Sequence, residues 1–347
     1  MSESMDLSGR SVLVTGGTGS FGRRCVETIL SKFKPDKLIV FSRDENKQHE
    51  MSQALNSKVY PCVRYFIGDV RDLRRLQRAF KGVDFVIHAA ALKQVPAAEY
   101  NPIEFVKTNI IGAQNVLDAA IDSGVKRVIA LSTDKAACPA NLYGATKLCA
   151  DKLFISGNVY AGENGTRLSV VRYGNVLGSR GSVLPFFAGL RHRGVLPITD
   201  PRMTRFWITL EQGVEFVLQS LAKMEGGETF VPKLPSMKIV DLARAVAPEC
   251  RHEVVGIRPG EKIHETLITE DEGRHTLELE HHFVIEPEFE VFWDGDRHRR
   301  DGGKPLSEGY SYSSDSNPLW LTIEDLHLMI ESEHNRLRNV SSGATAD

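Results

Sequence analysis

Cysteine pairs, long apolar runs and clustered basic residues are all missing from this 347-residue chain. Its five cysteines are odd in number and contain no CxxC pair, which argues against a disulfide framework or a metal site and favours reduced thiols. No run of about 18 apolar residues is present, so we expect no transmembrane helix. The N-terminus also lacks the apolar core of a signal peptide. These absences predict a soluble cytoplasmic protein.

An excess of charge of one sign is also absent, since 43 Lys and Arg residues nearly balance 45 Asp and Glu residues. No basic stripe interleaved with aromatic side chains is present, so we expect no nucleic-acid partner. The composition, 25% charged and 41% hydrophobic, is ordinary for a globular protein. A chain of this length forms one large domain or two closely joined domains.

Short β-branched runs alternate with amphipathic helical stretches through the first half of the chain. This pattern predicts a doubly wound α/β fold, with a parallel sheet covered by helices on both faces. Beyond Tyr173 this regular alternation of strand and helix patterns ends, and Gly, Pro and Arg become frequent. The predicted strands are Ser11–Thr15, Lys37–Phe41, Val63–Ile67, Val83–His88, Lys126–Leu131 and Leu168–Tyr173, and the predicted helices are Phe21–Lys32, Leu73–Phe80, Ile103–Ser123, Tyr143–Phe154, Leu210–Lys223, Val240–Ala247 and Ile323–Leu337.

The first predicted strand leads into a glycine-rich turn, GGTGSFG, which opens the first predicted helix. Glycine allows a tight turn and a close approach of backbone to ligand, and a helix N-terminus attracts a pyrophosphate. In this strand–turn–helix setting the turn predicts a dinucleotide site, with an ordinary glycine-rich turn as the alternative. The predicted cofactor contacts here are Gly16, Thr18, Gly19, Ser20, Phe21 and Gly22.

The end of the second strand indicates which dinucleotide is bound. Ser42 and Arg43 stand where an acidic residue would bind a ribose 2′-hydroxyl, and Lys47 follows one turn later. These residues suit a 2′-phosphate, so NADP is expected rather than NAD, although Asp44 keeps NAD as an alternative. Further cofactor contacts, with ordinary tight turns as the alternative, are expected at Asp69, Val70, Ala89 and Ala91.

The end of the alternating strand and helix pattern after Tyr173 predicts two regions, a dinucleotide-binding domain and a smaller C-terminal substrate-binding region. The first is expected to cover residues 8–177, with residues 205–232 returning to it. The second is expected to cover residues 178–204 and 233–337. Residues 338–347 are expected to be a disordered tail.

The stretch LSTDKAACPANLYGATK contains the candidate catalytic groups. Tyr143 and Lys147 share one helix face, so the Lys ammonium can bind the cofactor ribose and lower the pKa of the Tyr phenol. A phenol with a lowered pKa is a usable proton acceptor. Thr133, Asp134 and Lys135 follow the preceding strand at the sheet edge where substrates bind. A capped turn with a solvated ion pair is the alternative for these three residues.

The glycine turn, Thr133 and the YxxxK pair together resemble the extended short-chain dehydrogenase/reductase superfamily, which has a Rossmann fold. Longer runs narrow the resemblance: STDKAACPANLYGATK, HAAALKQVPAAEYNP, RYGNVLGSRGSVLPFF, ITDPRMTRFWIT and GIRPGEKIHE. They are similar to the inverting UDP-N-acetylglucosamine 4,6-dehydratases, which make the first intermediate of pseudaminic acid for flagellin and other surface glycans. The resemblance covers most of residues 10–270 and is weaker beyond Glu270.

The resemblance implies a hydro-lyase reaction. Tyr143, assisted by Thr133 and Lys147, removes the proton of the hydroxyl on sugar carbon 4 while hydride passes to NADP. Lys135 then takes the proton of carbon 5, and Asp134 protonates the hydroxyl that leaves carbon 6. Hydride returns to carbon 6, and reprotonation of carbon 5 from the opposite face, also assigned to Lys135, inverts that centre. Many relatives have Glu at this lysine position, so Lys135 predicts inversion.

Further polar residues are candidates for contacts with UDP-N-acetylglucosamine. Arginine suits a pyrophosphate because its planar fork makes two parallel hydrogen bonds. Surface ion pairing is the alternative for each of these residues. The candidates for the substrate are Lys93, Asn175, Thr199, Arg205, Arg258 and Glu261, and the remaining candidates for the cofactor are Lys93, Tyr143, Lys147, Val176, Ser179 and Arg180.

Other functions fit parts of the pattern. A retaining UDP-sugar 4,6-dehydratase and a UDP-sugar 4-epimerase differ from the inverting enzyme in the configuration of their products. A non-catalytic NADP-sensing scaffold would need the glycine turn but no acid and base, so the complete catalytic set argues against it. The resemblance also implies a homo-oligomer, a dimer or a hexamer, with residues 101–123 at the dimer seam by analogy.

Overall fold

The computed structural model describes residues 6–163, 165–178, 182–288 and 297–342. Among these residues, no helix has both the length and the apolar character that crossing a membrane requires. The chain divides into two units. Unit 1 consists of Met1–Tyr173, Glu211–Lys233 and Leu267–Ser311, and unit 2 consists of Gly174–Leu210, Leu234–Thr266 and Tyr312–Asp347.

The strands of the first half are mostly buried and rich in β-branched residues, except for the partly exposed strand VRYFI, whereas those of the second half are shorter and more varied. For example, the first strand has the sequence SVLVT and is buried along its whole length. The strands are β1 Ser11–Thr15, β2 Lys37–Ser42, β3 Val63–Ile67, β4 Phe85–His88, β5 Arg127–Thr133, β6 Arg167–Tyr173, β7 Asn175–Val176, β8 Val195–Ile198, β9 Thr204–Ile208, β10 Thr229–Pro232, β11 Ser236–Lys238, β12 Arg251–Val254, β13 Thr266–Ile268, β14 Thr276–Glu278, β15 His282–Ile285, β16 Lys304–Pro305 and β17 Tyr312–Ser313.

In unit 1, α-helices lie between successive parallel strands along the chain, and three further α-helices belong to unit 2. Short 3-10 helices lie at Asp134–Ala136 and Arg191–Arg193, and a π-helix lies at Val106–Ile111. The α-helices are α1 Ser20–Lys32, α2 Glu45–Ala54, α3 Leu73–Phe80, α4 Val95–Tyr100, α5 Pro102–Phe105, α6 Gly112–Asp122, α7 Leu142–Ala161, α8 Val183–Leu190, α9 Leu210–Lys223, α10 Ile239–Val246, α11 Glu270–Gly273, α12 Arg297–Arg300 and α13 Ile323–Ser342.

Unit 1 is built on a ten-stranded sheet whose central part has the order β3-β2-β1-β4-β5-β6. All neighbouring strands in this part are parallel. Such strands are buried on both faces, which explains their continuous apolar sequences. The strand order reverses between β1 and β4, where doubly wound sheets bind their ligands at the carboxyl ends of the strands. The predicted doubly wound fold is confirmed.

The sheet continues beyond β6 with β10, from the residues expected to return to this domain, and with three strands expected in the substrate-binding region. β10 pairs parallel with β6, and β15, β14 and β16 then follow as antiparallel neighbours. Residues 267–311 therefore belong to unit 1, whereas the prediction placed them in the C-terminal substrate-binding region. These added strands are short and partly charged, such as TLE in β14 and KP in β16, so they lack the apolar pattern that identifies a buried strand.

Other predicted boundaries also differ. β9 pairs with β7 and β11 in unit 2, so the chain returns to unit 1 at Glu211 and not at residue 205. Residues 174–177, predicted to end the dinucleotide-binding domain, lie in unit 2. Helix α13 reaches Ser342, so the first part of the predicted tail is helical. Residues 343–347 lie outside the described residues.

The predicted helix of residues 103–123 is interrupted. The π-helix Val106–Ile111 separates α5 from α6, because an extra residue per turn is accommodated there. Helix α2 was not predicted, since its sequence ENKQHEMSQA carries few apolar residues.

Unit 2 has its own small core. Two sheets, β11-β9-β7 and β12-β8, pack with α8, α10 and α13. The core includes Trp207, Met237, Leu242 and Leu326, all of them buried. Burying side chains of this size stabilises a fold by about 1.5–3 kcal/mol each.

Candidate active site

The glycine turn between β1 and α1 leaves no room for side chains. Gly16 has a φ of 64°, and a Cβ there would lie 2.9 Å from backbone atoms of Ala89 and Ala90. A Cβ on Gly22 would lie 2.4 Å from the carbonyl oxygen of Gly16. The left-handed conformation and these contacts both require glycine. The turn therefore brings the end of β1 against the end of β4.

The first turn of α1 can accept an anion. Gly19 is its N-cap, no described side chain caps it, and no acidic residue occupies its first turn. The first N–H groups of a helix point outward, and the helix dipole adds a partial positive charge there. The turn thus fits the pyrophosphate of a dinucleotide. Thr18, Ser20 and Phe21, the other predicted contacts of this turn, are half-buried around it.

The cations predicted to hold a 2′-phosphate lie beside carboxylates. Ser42 is buried, and its hydroxyl accepts a hydrogen bond from a glutamine of α2 at 3.1 Å. One guanidinium nitrogen of Arg43 lies 3.8 Å from Asp69 Oδ2, and Arg43 is 55% exposed. Lys47 Nζ lies 2.7 Å from Asp44 Oδ2. Exposed pairs of this kind are weak, so both cations remain able to turn toward a ligand.

The segments after β3 and β4 lie at the same edge of the sheet. Val70 is buried and Ala91 is exposed, whereas Ala89 packs against the glycine turn. Asp69 accepts a hydrogen bond from the guanidinium of Arg71 at 2.7 Å. The side chain of Lys93 reaches solvent, yet desolvation by neighbouring atoms and the positive charge of Lys135 lower its pKa.

Thr133 ends β5, and Asp134 and Lys135 start a 3-10 turn directly after it. Asp134 is 1% exposed. Its Oδ1 accepts hydrogen bonds from the Thr133 hydroxyl at 2.9 Å and from Lys135 Nζ at 3.0 Å. Its Oδ2 is buried without a hydrogen-bond partner among the described residues. One oxygen therefore fixes the carboxyl group, and the other is available for proton transfer.

The first turn of α7 places Tyr143 beside Lys135. The side chain of Asn141 caps the helix by accepting a hydrogen bond from the Gly144 N–H at 2.8 Å. A Cβ on Gly144 would lie 2.1 Å from the Lys135 carbonyl oxygen, so only glycine allows this approach. Burial raises the pKa of Tyr143 to about 12, and the charge of Lys135 and a hydrogen bond with Thr133 oppose the rise.

Lys147 lies on α7 one turn after Tyr143 and is 4% exposed. Its Nζ donates a hydrogen bond to the Leu131 carbonyl at 2.8 Å. Burial lowers the pKa of Lys147, and the charge of Asp151 opposes this shift. The positive charge that acts on the Tyr143 phenol in this structure is that of Lys135. The expected effect of Lys147 on the phenol and its contact with the ribose stay predictions.

Several polar residues near the site were not predicted. Ser132 donates a hydrogen bond to Asp151 at 2.6 Å, and Arg172 donates one to Glu272 at 2.9 Å. The sequence does contain a signal for Asp151, because it follows Lys147 by four residues on the same helix face. It contains none for Arg172 and Glu272, which are 100 residues apart.

Two residues of unit 2 that are predicted to contact the substrate form hydrogen bonds within the protein. Arg205 is 8% exposed, and its guanidinium donates hydrogen bonds to the carbonyls of Lys262 and Ile263, both at 2.9 Å. These bonds fix the segment before Glu265, and the contact of Arg205 with the substrate stays a prediction. Thr199 donates a hydrogen bond to the sulfur of Met203 at 3.2 Å.

The other predicted contacts of unit 2 are less buried. Arg258 is exposed, and its guanidinium lies 3.9 Å from Glu261 Oε1. A surface ion pair was the alternative for both residues, and their contacts with the substrate stay predictions. Asn175 and Val176 form β7 and are half-buried. The predicted cofactor contacts Ser179 and Arg180 lie outside the described residues.

Comparison with known proteins assigns the chain to a family. The family model described as polysaccharide biosynthesis protein matches residues 12–287. A UDP-N-acetylglucosamine 4,6-dehydratase (inverting) from Campylobacter jejuni is 56% identical over 324 residues, which cover 91% of this chain and 96% of the relative. A UDP-glucose 4-epimerase from Rickettsia conorii is 42% identical over 288 residues, which cover 80% of this chain and 82% of the relative.

A solved structure is similar over nearly the whole chain. The X-ray structure of Pen from Bacillus thuringiensis has a TM-score of 0.86 and 36% sequence identity, and the match covers 95% of this chain and 99% of that chain. The chain belongs to the polysaccharide biosynthesis protein family, within the extended short-chain dehydrogenase/reductase superfamily.

Proposed function

We propose that this protein is an NADP-dependent UDP-N-acetylglucosamine 4,6-dehydratase, a hydro-lyase, that inverts carbon 5. The observation that carries the proposal is the contact of Asp134 with both Thr133 and Lys135, beside Tyr143. Dehydration needs an acid and a base in addition to the redox residues, whereas 4-epimerisation does not. The identity with the Campylobacter jejuni relative, which is named for this reaction, supports the same function.

NADP is the cofactor that we infer. The glycine turn and the start of α1 would hold its pyrophosphate, and Arg43 and Lys47 would bind its 2′-phosphate. Both cations are paired with partly exposed carboxylates, at a cost of roughly 0–1 kcal/mol when a ligand replaces the pair. When bound, the nicotinamide would supply a reversible hydride acceptor for sugar carbons 4 and 6, so that the cofactor would be regenerated in each cycle.

Three side chains move protons. Tyr143 Oη takes the proton of the hydroxyl on carbon 4, with Thr133 and Lys135 favouring the phenolate. Lys135 Nζ takes the proton of carbon 5, which the neighbouring ketone has made acidic. Asp134 Oδ2 gives a proton to the oxygen that leaves carbon 6 as water. Lys135 then delivers a proton to the opposite face of carbon 5, which inverts this centre, and Asp134 recovers its proton from Tyr143 through solvent.

The substrate contacts follow from the same proposal. Lys93 and the unit 2 residues Asn175, Thr199, Arg258 and Glu261 would bind the UDP-sugar. In our proposal the product is UDP-2-acetamido-2,6-dideoxy-β-L-arabino-hex-4-ulose, made in the cytoplasm by a homo-oligomer as the first step of pseudaminic acid synthesis. The motifs that resemble enzymes of this pathway support the proposal.

Turnover of UDP-N-acetylglucosamine in deuterated water, followed by NMR, tests the proposed function. We expect a 4-keto-6-deoxy sugar with deuterium at carbon 5 and inverted configuration there. Cofactor released by denaturing the purified protein is expected to be NADP and not NAD. A retained configuration at carbon 5 would assign the protein to the retaining dehydratases, and unreacted sugar would contradict the proposal altogether.

A UDP-sugar 4-epimerase is the second candidate, because the relative from Rickettsia conorii is named a UDP-glucose 4-epimerase. An epimerase would use Tyr143, Thr133 and Lys147 without the acid and the base. The same NMR experiment separates the two functions, since an epimerised sugar keeps its oxygen on carbon 6 and takes no deuterium at carbon 5.

A further inference from the structure

Four charged side chains of unit 1 form a row that begins at the catalytic helix α7. Lys147 and Asp151 stand on α7, Arg172 on β6 and Glu272 in α11. Asp151 and Arg172 are each 2% exposed, and Lys147 is also buried. The charges alternate in sign along the row. Burying a charge is costly unless a partner of opposite charge is close, so each member depends on its neighbours.

The contacts around Asp151 and Arg172 combine hydrogen bonds with a longer ion pair. Asp151 Oδ2 accepts a hydrogen bond from Ser132 Oγ at 2.6 Å and lies 3.8 Å from a guanidinium nitrogen of Arg172. Arg172 donates hydrogen bonds to Glu272 Oε2 at 2.9 Å and to the Leu267 carbonyl at 3.0 Å. The row therefore connects the catalytic helix to the segment that begins at Leu267.

Glu272 is itself fixed by the start of α11. It forms a capping box with Thr269, whose N–H and hydroxyl donate to Glu272 Oε2 at 3.1 Å and 3.2 Å. A carboxylate held in this way fixes the position of Arg172, which in turn faces Asp151. The orientation of Asp151 thus depends on residues far away in the sequence.

Lys147 is surrounded by few charges. Burial lowers its pKa, and Asp151 is the carboxylate among the described residues that opposes this shift. Tyr143 lies one turn earlier on the same helix. His88, which faces Lys147 from the end of β4, stays neutral because burial, and then the charge of Lys147, lower its pKa to about 3. Burial raises the pKa of Asp151 as well, and the charges of Lys147 and Arg172 and the Ser132 hydroxyl oppose that rise. The Asp151 carboxylate therefore favours the ammonium form of Lys147.

The same two residues of α7 hold the end of β5. Lys147 Nζ binds the Leu131 carbonyl at 2.8 Å, and Asp151 binds the hydroxyl of the next residue, Ser132, at 2.6 Å. Thr133 follows directly, so these two contacts set the position from which it reaches Tyr143.

We propose that Asp151 is a positioning residue of the active site, which keeps Lys147 as an ammonium and, through Ser132, fixes the strand end that carries Thr133. Arg172 and Glu272 hold Asp151 in place, so the segment that begins at Leu267 contributes to the site through this row. The kinetic part of the proposal rests on the proposed function, whereas its electrostatic part does not.

The direct test is an NMR titration of Lys147 in the protein as purified, with lysine side chains labelled with carbon-13. Loss of one signal in Lys147→Met identifies the residue. Asp151→Asn keeps the shape and the acceptor for Ser132 but removes the charge. We expect the pKa of Lys147 to fall by roughly one to two units in this variant. An unchanged titration would overturn the proposal.

Kinetics supply a second readout. In Asp151→Asn, the alkaline limb of the kcat profile is expected to move down by roughly one pH unit, with KM little changed. Asp151→Glu, which restores the charge, should return the limb toward that of the unmodified protein. A fall in kcat at all pH values with no shift of the limb would show a purely structural role and contradict the proposal.

Asp84→Asn is the matched control. Asp84 precedes β4 at the opposite edge of the sheet, where it binds Lys126 at 2.7 Å and the Ser11 N–H at 2.9 Å. Its loss is expected to lower stability without moving the Lys147 titration. Should Asp151→Asn fail to fold, the double variant Asp151→Asn with Arg172→Gln removes both charges and is titrated in its place. A shifted titration in a protein without turnover would refute the proposed function and leave this inference standing.

Discussion

Asp134 and Lys135 are adjacent in the sequence and share a hydrogen bond, yet they are assigned opposite proton transfers. Replacing each one should therefore stop the reaction at a different step. With Lys135→Ala, we expect no exchange of the carbon 5 proton with deuterated solvent and a fall in turnover of roughly a hundredfold or more. NMR of the sugar after incubation in deuterated water measures both effects.

Asp134→Asn is the companion variant. Its amide keeps an acceptor for the Thr133 hydroxyl but cannot protonate the leaving oxygen, so we expect carbon 5 exchange to persist while loss of water becomes slow. Exchange at carbon 5 in Lys135→Ala would refute the assignment of Lys135 as the base. Loss of exchange in both variants would show that the pair acts as one unit.

At the residue scale, the sequence predicts what lies close together along the chain. Thr133, Asp134, Lys135 and Tyr143 could be selected because a strand end and a helix start place them at one edge of the sheet. The partners of Arg205 could not be predicted, because they are backbone carbonyls, which carry no sequence signal. An arginine that binds its own backbone and one that binds a pyrophosphate look alike in sequence.

At the element scale, the turn between β1 and α1 depends on one backbone conformation. A Cβ at Gly16 would meet the backbone of Ala89 and Ala90 at 2.9 Å, in addition to the strain of its φ of 64°. Gly16→Ala is therefore expected to lower the affinity for NADP at least tenfold and to lower the thermal midpoint. Calorimetric titration with NADP and thermal unfolding measure these effects.

The variant Gly82→Ala distinguishes the effect of backbone strain from that of the steric contact expected in Gly16→Ala. Gly82 has a similar φ of 70°, but a Cβ there would meet nothing within 4 Å. We expect this variant to lose about 1–2 kcal/mol of stability from strain alone and to keep its affinity for NADP. Equal losses of affinity in both variants would contradict the specific role of the glycine turn.

The elements that the sequence predicts are those whose apolar residues follow a clear strand or helix pattern. The observed bounds of β1 and β3 agree with the predicted strands, because five consecutive residues are bounded by clear turns. The π-helix at Val106–Ile111 could not be predicted from the sequence, since it continues the helical pattern with one extra residue. The strands β14 and β16 could not be predicted either, because two or three residues are too few to show the alternation of apolar and polar side chains that marks a strand.

At the scale of the whole molecule, buried histidines make stability depend on pH. Burial lowers the pKa of His88 and of His282 to about 3, below the ordinary value of 6.5. The unfolded chain therefore binds more protons than the folded chain between about pH 6.5 and pH 3. The contribution of these residues to stability is complete above pH 6.5 and is lost as the pH falls toward 3.

His282→Gln tests this dependence. His282 packs against Phe216 and Phe230, with ring centroids 5.9 Å and 6.2 Å away, and the glutamine cannot take up a proton there. The variant loses packing at every pH, but the slope of its unfolding free energy should flatten by up to about 1.4 kcal/mol per pH unit between pH 6 and pH 4. Urea unfolding across this range measures the slope. His281→Gln is the control, because the neighbouring His281 side chain is 83% exposed and its loss should leave the slope unchanged. An equal flattening in both variants would show that burial of His282 is not the cause.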